Sequence, residues 1–215
     1  MSMQYKVIYT LMELKEYLCG ATHIAFDFET APDDKYRNEE KSALDAYKSH
    51  IVGISFSVTQ ATAIYLPIAH KLGKNAEDQT AIWNWLSTEI FQNPAITKIA
   101  HNLAFESAFL YARGIVVQEP CYDTIAAAQL IYKKEKEFRS LADCGLKTLV
   151  PEFFHERLPS FNDTVGNHHF DELNPSDDKT IHYACADADY TLRLYHLLNN
   201  WFDRFLPKHR YIVEK

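Results

Sequence analysis

The spacing of apolar positions changes along this chain. Early segments alternate with a period near two, and later ones recur with a period near 3.6, so strands are expected first and helices last. Residues 5–9 alternate weakly and predict an edge strand. Thr10 and Glu13 have capping-box spacing and predict a short helix through residue 18. Residues 23–28 read as a strand with Ile24, Phe26 and Phe28 on one face and Ala25, Asp27 and Glu29 on the other. Residues 51–58 and 61–68 are β-rich runs separated by Thr59-Gln60, which predicts a hairpin. Residues 75–91 carry Ile82, Trp83, Trp85, Leu86 and Ile90 at helical spacing. A fourth strand at 96–100, a helix at 103–113 and a short strand at 114–118 follow. Helices are then expected at 123–132, 140–150 and 178–205, the last opened by Asn174-Pro175-Ser176-Asp177-Asp178. Residues 31–50 are polar and read as a loop holding one helical turn. The pattern is that of an α/β layer fold with a mixed sheet.

The length of 215 residues suits one domain, and no Gly/Ser/Pro-rich linker divides it. A hydrophobic fraction of 47% is enough for a full core. No apolar run approaches the length of a membrane span, and the first twenty residues are too charged for a secretory signal. Cys19, Cys121, Cys144 and Cys185 lie far apart with no C-x-x-C pair. They read as reduced core thiols of a cytoplasmic protein, not as zinc ligands. The formal charge of −7 excludes a protein that coats duplex DNA by bulk electrostatics.

Three acidic segments carry the candidate chemistry. Asp27 and Glu29 share a strand face, roughly 6–7 Å apart along the backbone at about 3.3 Å per residue, so both can reach one cation. Glu106 lies four residues after Asn102, a favoured N-cap, at the positive end of a helix. Tyr183 and Asp187 are also four apart and share a helix face; small neighbours (Ala184, Cys185, Ala188) let that helix press on the sheet and bring Asp187 to the strand ends. Carboxylates gathered in this way repel one another unless cations lie between them. A site that collects four is a candidate for two divalent metals and phosphodiester chemistry. Tyr183 could orient a metal-bound water or accept its proton. Each segment alone has a plainer reading as a solvated strand end, an ordinary capped helix or a tyrosine at the core edge. Asp189 is not on the Asp187 face and receives no role. Lys133, Lys134, Lys136 and Arg139 form a basic cluster that reads more simply as a solvated charged loop.

The segments Phe26-Asp27-Phe28-Glu29-Thr30, His101-Asn102-Leu103-Ala104-Phe105-Glu106 and Tyr183-Ala184-Cys185-Ala186-Asp187 occur in the order and spacing of a known family. The chain resembles the DEDD superfamily of 3′–5′ exonucleases, in its tyrosine-bearing branch. Residues 51–56, 63–70, 122–124 and 140–142 extend the similarity to the proofreading domain of family A DNA polymerases. The resemblance covers residues 23–198. It implies an RNase H-like fold, with a five-stranded mixed sheet flanked by helices and the active site at the sheet edge beside the last helix. It also implies that Asp27, Glu29 and Asp187 bind a first metal, that Asp27 bridges to a second, and that Glu106 acts on the second metal where the family usually has Asp. Tyr183 would hold the attacking water, with Glu29 accepting its hydrogen bond. Thr30, Asn102 and Phe105 would meet the terminal nucleotides. Hard oxygen ligands without a Cys/His set point to Mg²⁺ or Mn²⁺.

The expectation is therefore a single 3′–5′ exonuclease domain over 1–215, free-standing or a fragment of a longer polymerase. It would shorten single-stranded DNA ends to nucleoside 5′-monophosphates with two divalent ions. Its expected partners are single-stranded DNA 3′ ends, RNA as an alternative, and a DNA polymerase domain in the same or another chain, with no membrane. The other readings are RNase D-like RNA trimming and a catalytically weakened nucleic-acid-binding domain of a polymerase.

Overall fold

The computed structural model describes residues 3–135 and 144–205, with side chains for 3–131 and 144–204. Six strands form one mixed sheet in the order β1-β4-β3-β2-β5-β6. They are β1 (Gln4–Val7), β2 (His23–Pro32), β3 (Ser49–Ser57), β4 (Thr62–Pro67), β5 (Thr97–Ala100) and β6 (Cys121–Asp123). The β2–β3–β4 segment is antiparallel, and β1, β5 and β6 join parallel to their neighbours.

The face alternation expected for β2 is present. Ile24, Phe26 and Phe28 enter one core with Leu14 and Leu18 of α1 (Leu11–Leu18), Ile82 of α2 (Gln79–Trp85), and Phe109 and Leu110 of α3 (Leu103–Ala112). Ala25 enters the opposite core with Ala127 and Ala128 of α4 (Thr124–Glu135), Leu149 of α5 (Leu146–Phe154), and Ala186 and Tyr190 of α7 (Asp178–Phe205). The sheet is thus sandwiched between helices, and α7 crosses its second face. Ala184, Cys185, Ala186 and Ala188 are fully buried, so small side chains do allow α7 to lie close to the strands. A short α6 (Phe161–Val165) precedes α7.

The Thr10/Glu13 capping box forms as expected, with Glu13 N–H donating to Thr10 Oγ1 at 3.2 Å and Thr10 N–H to Glu13 Oε2 at 3.0 Å. Four expectations need correction. The sheet has six strands, not five. Residues 114–118 are not a strand: Gly114 and Ile115 return their N–H groups to Tyr111 and Leu110 and so close α3. The strand forms at Cys121–Asp123 instead, where Tyr122 pairs with Ile99. The helix expected from residue 75 starts at Gln79, where the Asp78 side chain accepts from Ala81 N–H, and its last turns (Leu86–Phe91) widen into a π-helix. Finally, the 31–50 loop is shorter than read. β2 runs on to Pro32 and β3 begins at Ser49, and between them lie two 3₁₀ turns, Asp34–Tyr36 and Ser42–Leu44. Residues 140–143 of the helix expected at 140–150, and the side chains of Lys133, Lys134, Lys136 and Arg139, lie outside the described residues.

Candidate active site

The acids come from three elements whose positions the fold fixes independently. Asp27 and Glu29 stand on the second face of β2, the central strand beside which α7 packs. Opposite Glu29 in the register is Gly53, and after this pair a β-bulge shifts Thr30 onto Ile51. The glycine is required: a Cβ there would fall inside the Tyr65 phenol ring. Tyr65 is completely buried, and its hydroxyl donates to His70 Nε2 at 2.7 Å. That direction follows from the other ring nitrogen, which faces the Leu173 carbonyl, an acceptor, at 2.8 Å and so carries the proton. Burial holds His70 down to a pKa of about 4, so it stays neutral here.

Asn102 begins α3 in the left-handed region (φ 80°) but does not cap it with its side chain, contrary to expectation. Asp123 does so. Its carboxylate accepts from Asn102 N–H (3.2 Å), Leu103 N–H (3.0 Å) and Ile125 N–H (2.9 Å), joining the starts of α3 and α4. This orients the first turn of α3, from which Glu106 projects with only 2% of its surface exposed.

Electrostatics link the four acids. Burial, and then the charge of Asp187, hold the Asp27 carboxyl well above the ordinary range. Glu29 is raised by burial, Asp27 and Asp187; Glu106 is raised by burial and Asp27. Burial raises Asp187 to about 6. The Tyr183 phenol is pushed up by burial and by Glu29, Asp187 and Asp27. The fold thus brings together Asp27, Glu29, Asp187 and Tyr183, and reaches Glu106 through Asp27.

Glu29 Oε1 and Glu106 Oε2 are buried without a hydrogen-bond partner among the described residues. Native structures rarely leave such atoms unmatched, and a cation is the natural partner for a carboxylate oxygen. The donor set, all hard oxygen, fits Mg²⁺ or Mn²⁺. Among the described residues, however, no three His, Cys, Asp or Glu side chains already close around one point.

The candidate substrate residues lie at the rim. The Thr30 hydroxyl donates to Ala43 O in the 33–48 segment at 2.7 Å. Asn102 is exposed, and Phe105 is partly covered, its ring centroid 4.9 Å from that of Phe109. Sequence reasoning missed two neighbours. Phe161 is 44% exposed and packs edge-on against Tyr183 at 6.1 Å. Lys147, at the start of α5, places its Nζ 3.4 Å from the Tyr183 hydroxyl. An exposed aromatic and a lone lysine carry no signal until the chain is folded. Beside Phe161 and Tyr183, Ser160 and His182 share with Arg157 and Lys179 the lining of a cavity of about 680 Å³.

A mixed sheet whose central strand, adjoining helix and closing helix each deliver an acid to one cleft defines the class: an RNase H-like nuclease fold. The comparisons give the family. Residues 6–203 match the 3′–5′ exonuclease family, and the chain belongs to it. DNA polymerase I of Chloroflexus aurantiacus is 30% identical over 192 residues, covering 86% of this chain and 18% of that protein. DNA polymerase I of Borreliella burgdorferi is 28% identical over 200 residues, covering 91% and 20%. The chain therefore spans about a fifth of the length of these relatives. Among solved structures, Escherichia coli RNase D, described as an exoribonuclease involved in structured RNA processing, has a TM-score of 0.68 at 20% identity, covering 96% of this chain and 48% of that one. Brucella melitensis NrnC with bound Mg²⁺ has a TM-score of 0.66 at 20% identity, covering 100% and 87%. No helix among the described residues is long and apolar enough to cross a membrane.

Proposed function

We propose that this chain is a metal-dependent exonuclease that removes nucleotides from the 3′ ends of single-stranded DNA, releases nucleoside 5′-monophosphates, and serves proofreading. The observation that carries the reading is the electrostatic coupling of Asp27, Glu29 and Asp187, beside buried oxygens of Glu29 and Glu106 that no described residue satisfies. Asp27, Glu29 and Asp187 would hold one divalent ion, and Asp27 with Glu106 a second. When bound, the ions supply Lewis-acid stabilisation of the phosphate and a more acidic water.

The remaining roles belong to the side chains. Because the Tyr183 phenol is held protonated, it acts by orienting the attacking water through its hydroxyl and not by taking up a proton. Glu29 accepts the other hydrogen bond of that water. Phe105 and Phe161 offer ring faces to unpaired bases, a mode that suits single strands. Asn102 and Thr30 meet the terminal nucleotide, the latter through whatever hydrogen-bonding capacity its contact with Ala43 leaves. We read residues 1–215 as a single domain. The relatives are polymerases, so a polymerase region in the same or another chain is the proposed partner. Four cysteines without a disulfide agree with a cytoplasmic setting.

The test is digestion of 5′-labelled single-stranded DNA and RNA of one sequence with Mg²⁺, Mn²⁺ or EDTA. DNA shortened from its 3′ end in a metal-dependent ladder, lost in Asp27→Ala while binding is kept, supports the reading. Faster shortening of RNA would make the enzyme an RNase D-like trimmer. Binding without cleavage of either would make it a weakened domain, and metal-dependent activity surviving in Asp27→Ala would overturn the site.

A further inference from the structure

Lys147 stands in an unusual place for a lysine beside four acids. Leu146, Leu149 and Val150 are buried and anchor α5, while Lys147 itself is exposed and turns its amine to the cleft. Its Nζ lies 3.4 Å from the Tyr183 hydroxyl and 5.0 Å from the centroid of that ring. No carboxylate of the described residues lies within ion-pair distance of it, yet it is near enough for its charge to be felt at Asp27, Glu29 and Asp187. A simple counter-ion would settle on one carboxylate. This amine is instead held against a phenol, which can occupy one of its three donors and leaves two without a partner among the described residues.

We propose that Lys147 is a substrate-binding residue, whose Nζ donates to a non-bridging oxygen of the scissile phosphate while steadying the Tyr183 hydroxyl. The assignment rests on the exonuclease reading above. It gives the site a protein cation on the phosphate, opposite the carboxylates, so that an anionic substrate can enter a cleft of acids. The position next to Tyr183 also places this contact at the bond to be broken, and not along the outgoing strand.

The test compares the wild type with Lys147→Met, which keeps the stem without the charge, and with Lys147→Arg. Binding of a labelled single-stranded DNA oligonucleotide is followed by anisotropy in EDTA over a range of NaCl, with kcat and KM measured in Mg²⁺. Loss of one phosphate contact should flatten the slope of log affinity against log salt by about 0.7. Lys147→Met should show that change together with a raised KM, a kcat lowered by about 10²-fold and an unchanged melting temperature. Lys147→Arg should recover the slope. A Lys147→Met protein with the wild-type slope, and with Mn²⁺ bound more tightly in titration, would show a counter-ion only and overturn the assignment while the exonuclease reading stands. A wild-type protein that neither binds nor cuts single strands would overturn both.

Discussion

Asp187 and Asp189 lie two residues apart on α7, and the fold treats them in opposite ways. Asp189 is fully buried and fully partnered: it accepts from the Tyr5 hydroxyl at 2.7 Å and from Ala61 N–H at 2.8 Å, and it receives a two-pronged contact from Arg193 at 3.1 and 2.6 Å. These bonds fasten β1 and the β3–β4 turn to α7. Asp187 faces the cleft, where no described residue donates a hydrogen bond to it, and burial raises its pKa to about 6. One carboxylate has its counter-charge bonded to it; the other has no bonded counter-charge among the described residues. A buried acid bonded on both oxygens is part of the scaffold, and one that no described residue bonds is the candidate for chemistry.

The sharpest way to break this comparison is to substitute both. Asp187→Asn should reduce metal-dependent cleavage by at least ~10²–10³-fold. It should leave the melting temperature in EDTA unchanged or higher, since it removes a charge from a repelling group. Asp189→Ala should do the reverse. Breaking a buried pair costs about 3–5 kcal/mol, a melting temperature lowered by roughly 10 °C for a chain of this size, while the folded fraction keeps activity within a few-fold. Melting curves and cleavage rates on both variants decide the matter, and the same direction of change in both would end the distinction.

A second expectation concerns pH. The cleft acids have raised pKa values when folded, so between their ordinary range and about pH 6 or above the folded state binds more protons than the unfolded one. Their contribution to stability therefore falls as pH rises through that window. Buried His70 and His101, each held down to about 4, act in the opposite sense, but equally with and without metal. The gap in melting temperature between Mg²⁺- and EDTA-treated protein should thus widen from pH 5 to pH 8, because metal competes with protons for the same oxygens. A gap independent of pH would mean that Mg²⁺ binds elsewhere.

The third expectation moves from charge to space. Gly53→Ala must push Tyr65 from beneath Glu29, disturbing the Tyr65–His70 hydrogen bond. Overpacking of this kind costs about 1–3 kcal/mol. Activity should fall along with the melting temperature, since the same shift moves Glu29; stability lost with kcat intact would separate the ring from the site.

What could be read from the sequence follows the range of the interactions involved. The faces of β2, the capping box at Thr10 and the extent of α7 depend on neighbours within four residues, and all were legible. The spacing of Asp27, Glu29, Tyr183 and Asp187 was legible for the same reason. The capping of α3 was not, because Asp123 reaches it from 20 residues away. Nor was the strand after α3: Ile115, Val116 and Val117 have the composition of a strand, but Gly114 and Ile115 are engaged in closing the helix. The buried role of Asp189 depends on Tyr5, 184 residues distant, and Lys147 reaches Tyr183 across 36. The 33–48 segment likewise shows its anchoring only when folded. There Arg37 pairs with buried Asp171, with Glu172 and with Asp34, and Lys71 adds to Asp171 at 3.4 Å.

The smallest effect is expected at Glu106, the position where the tyrosine-bearing exonucleases usually have Asp. Its Oε2 is buried without a hydrogen-bond partner among the described residues, but it is linked to the other cleft acids through Asp27 and sits on a helix start that Asp123 already fixes. A group acting on the cleft through water tolerates a change of one methylene, because a water can fill the gap at little cost in enthalpy. Glu106→Asp should therefore keep cleavage within about ten-fold of wild type, on the scale of the 10–100-fold losses typical of outer-shell changes at metal sites. Glu106→Ala, which removes the charge, should fall further than Glu106→Asp in the same cleavage assay. Collapse of Glu106→Asp to the level of Glu106→Ala would show that the longer side chain makes direct contact in this protein, which would place Glu106 beside Asp187 as an equal member of the unsatisfied set.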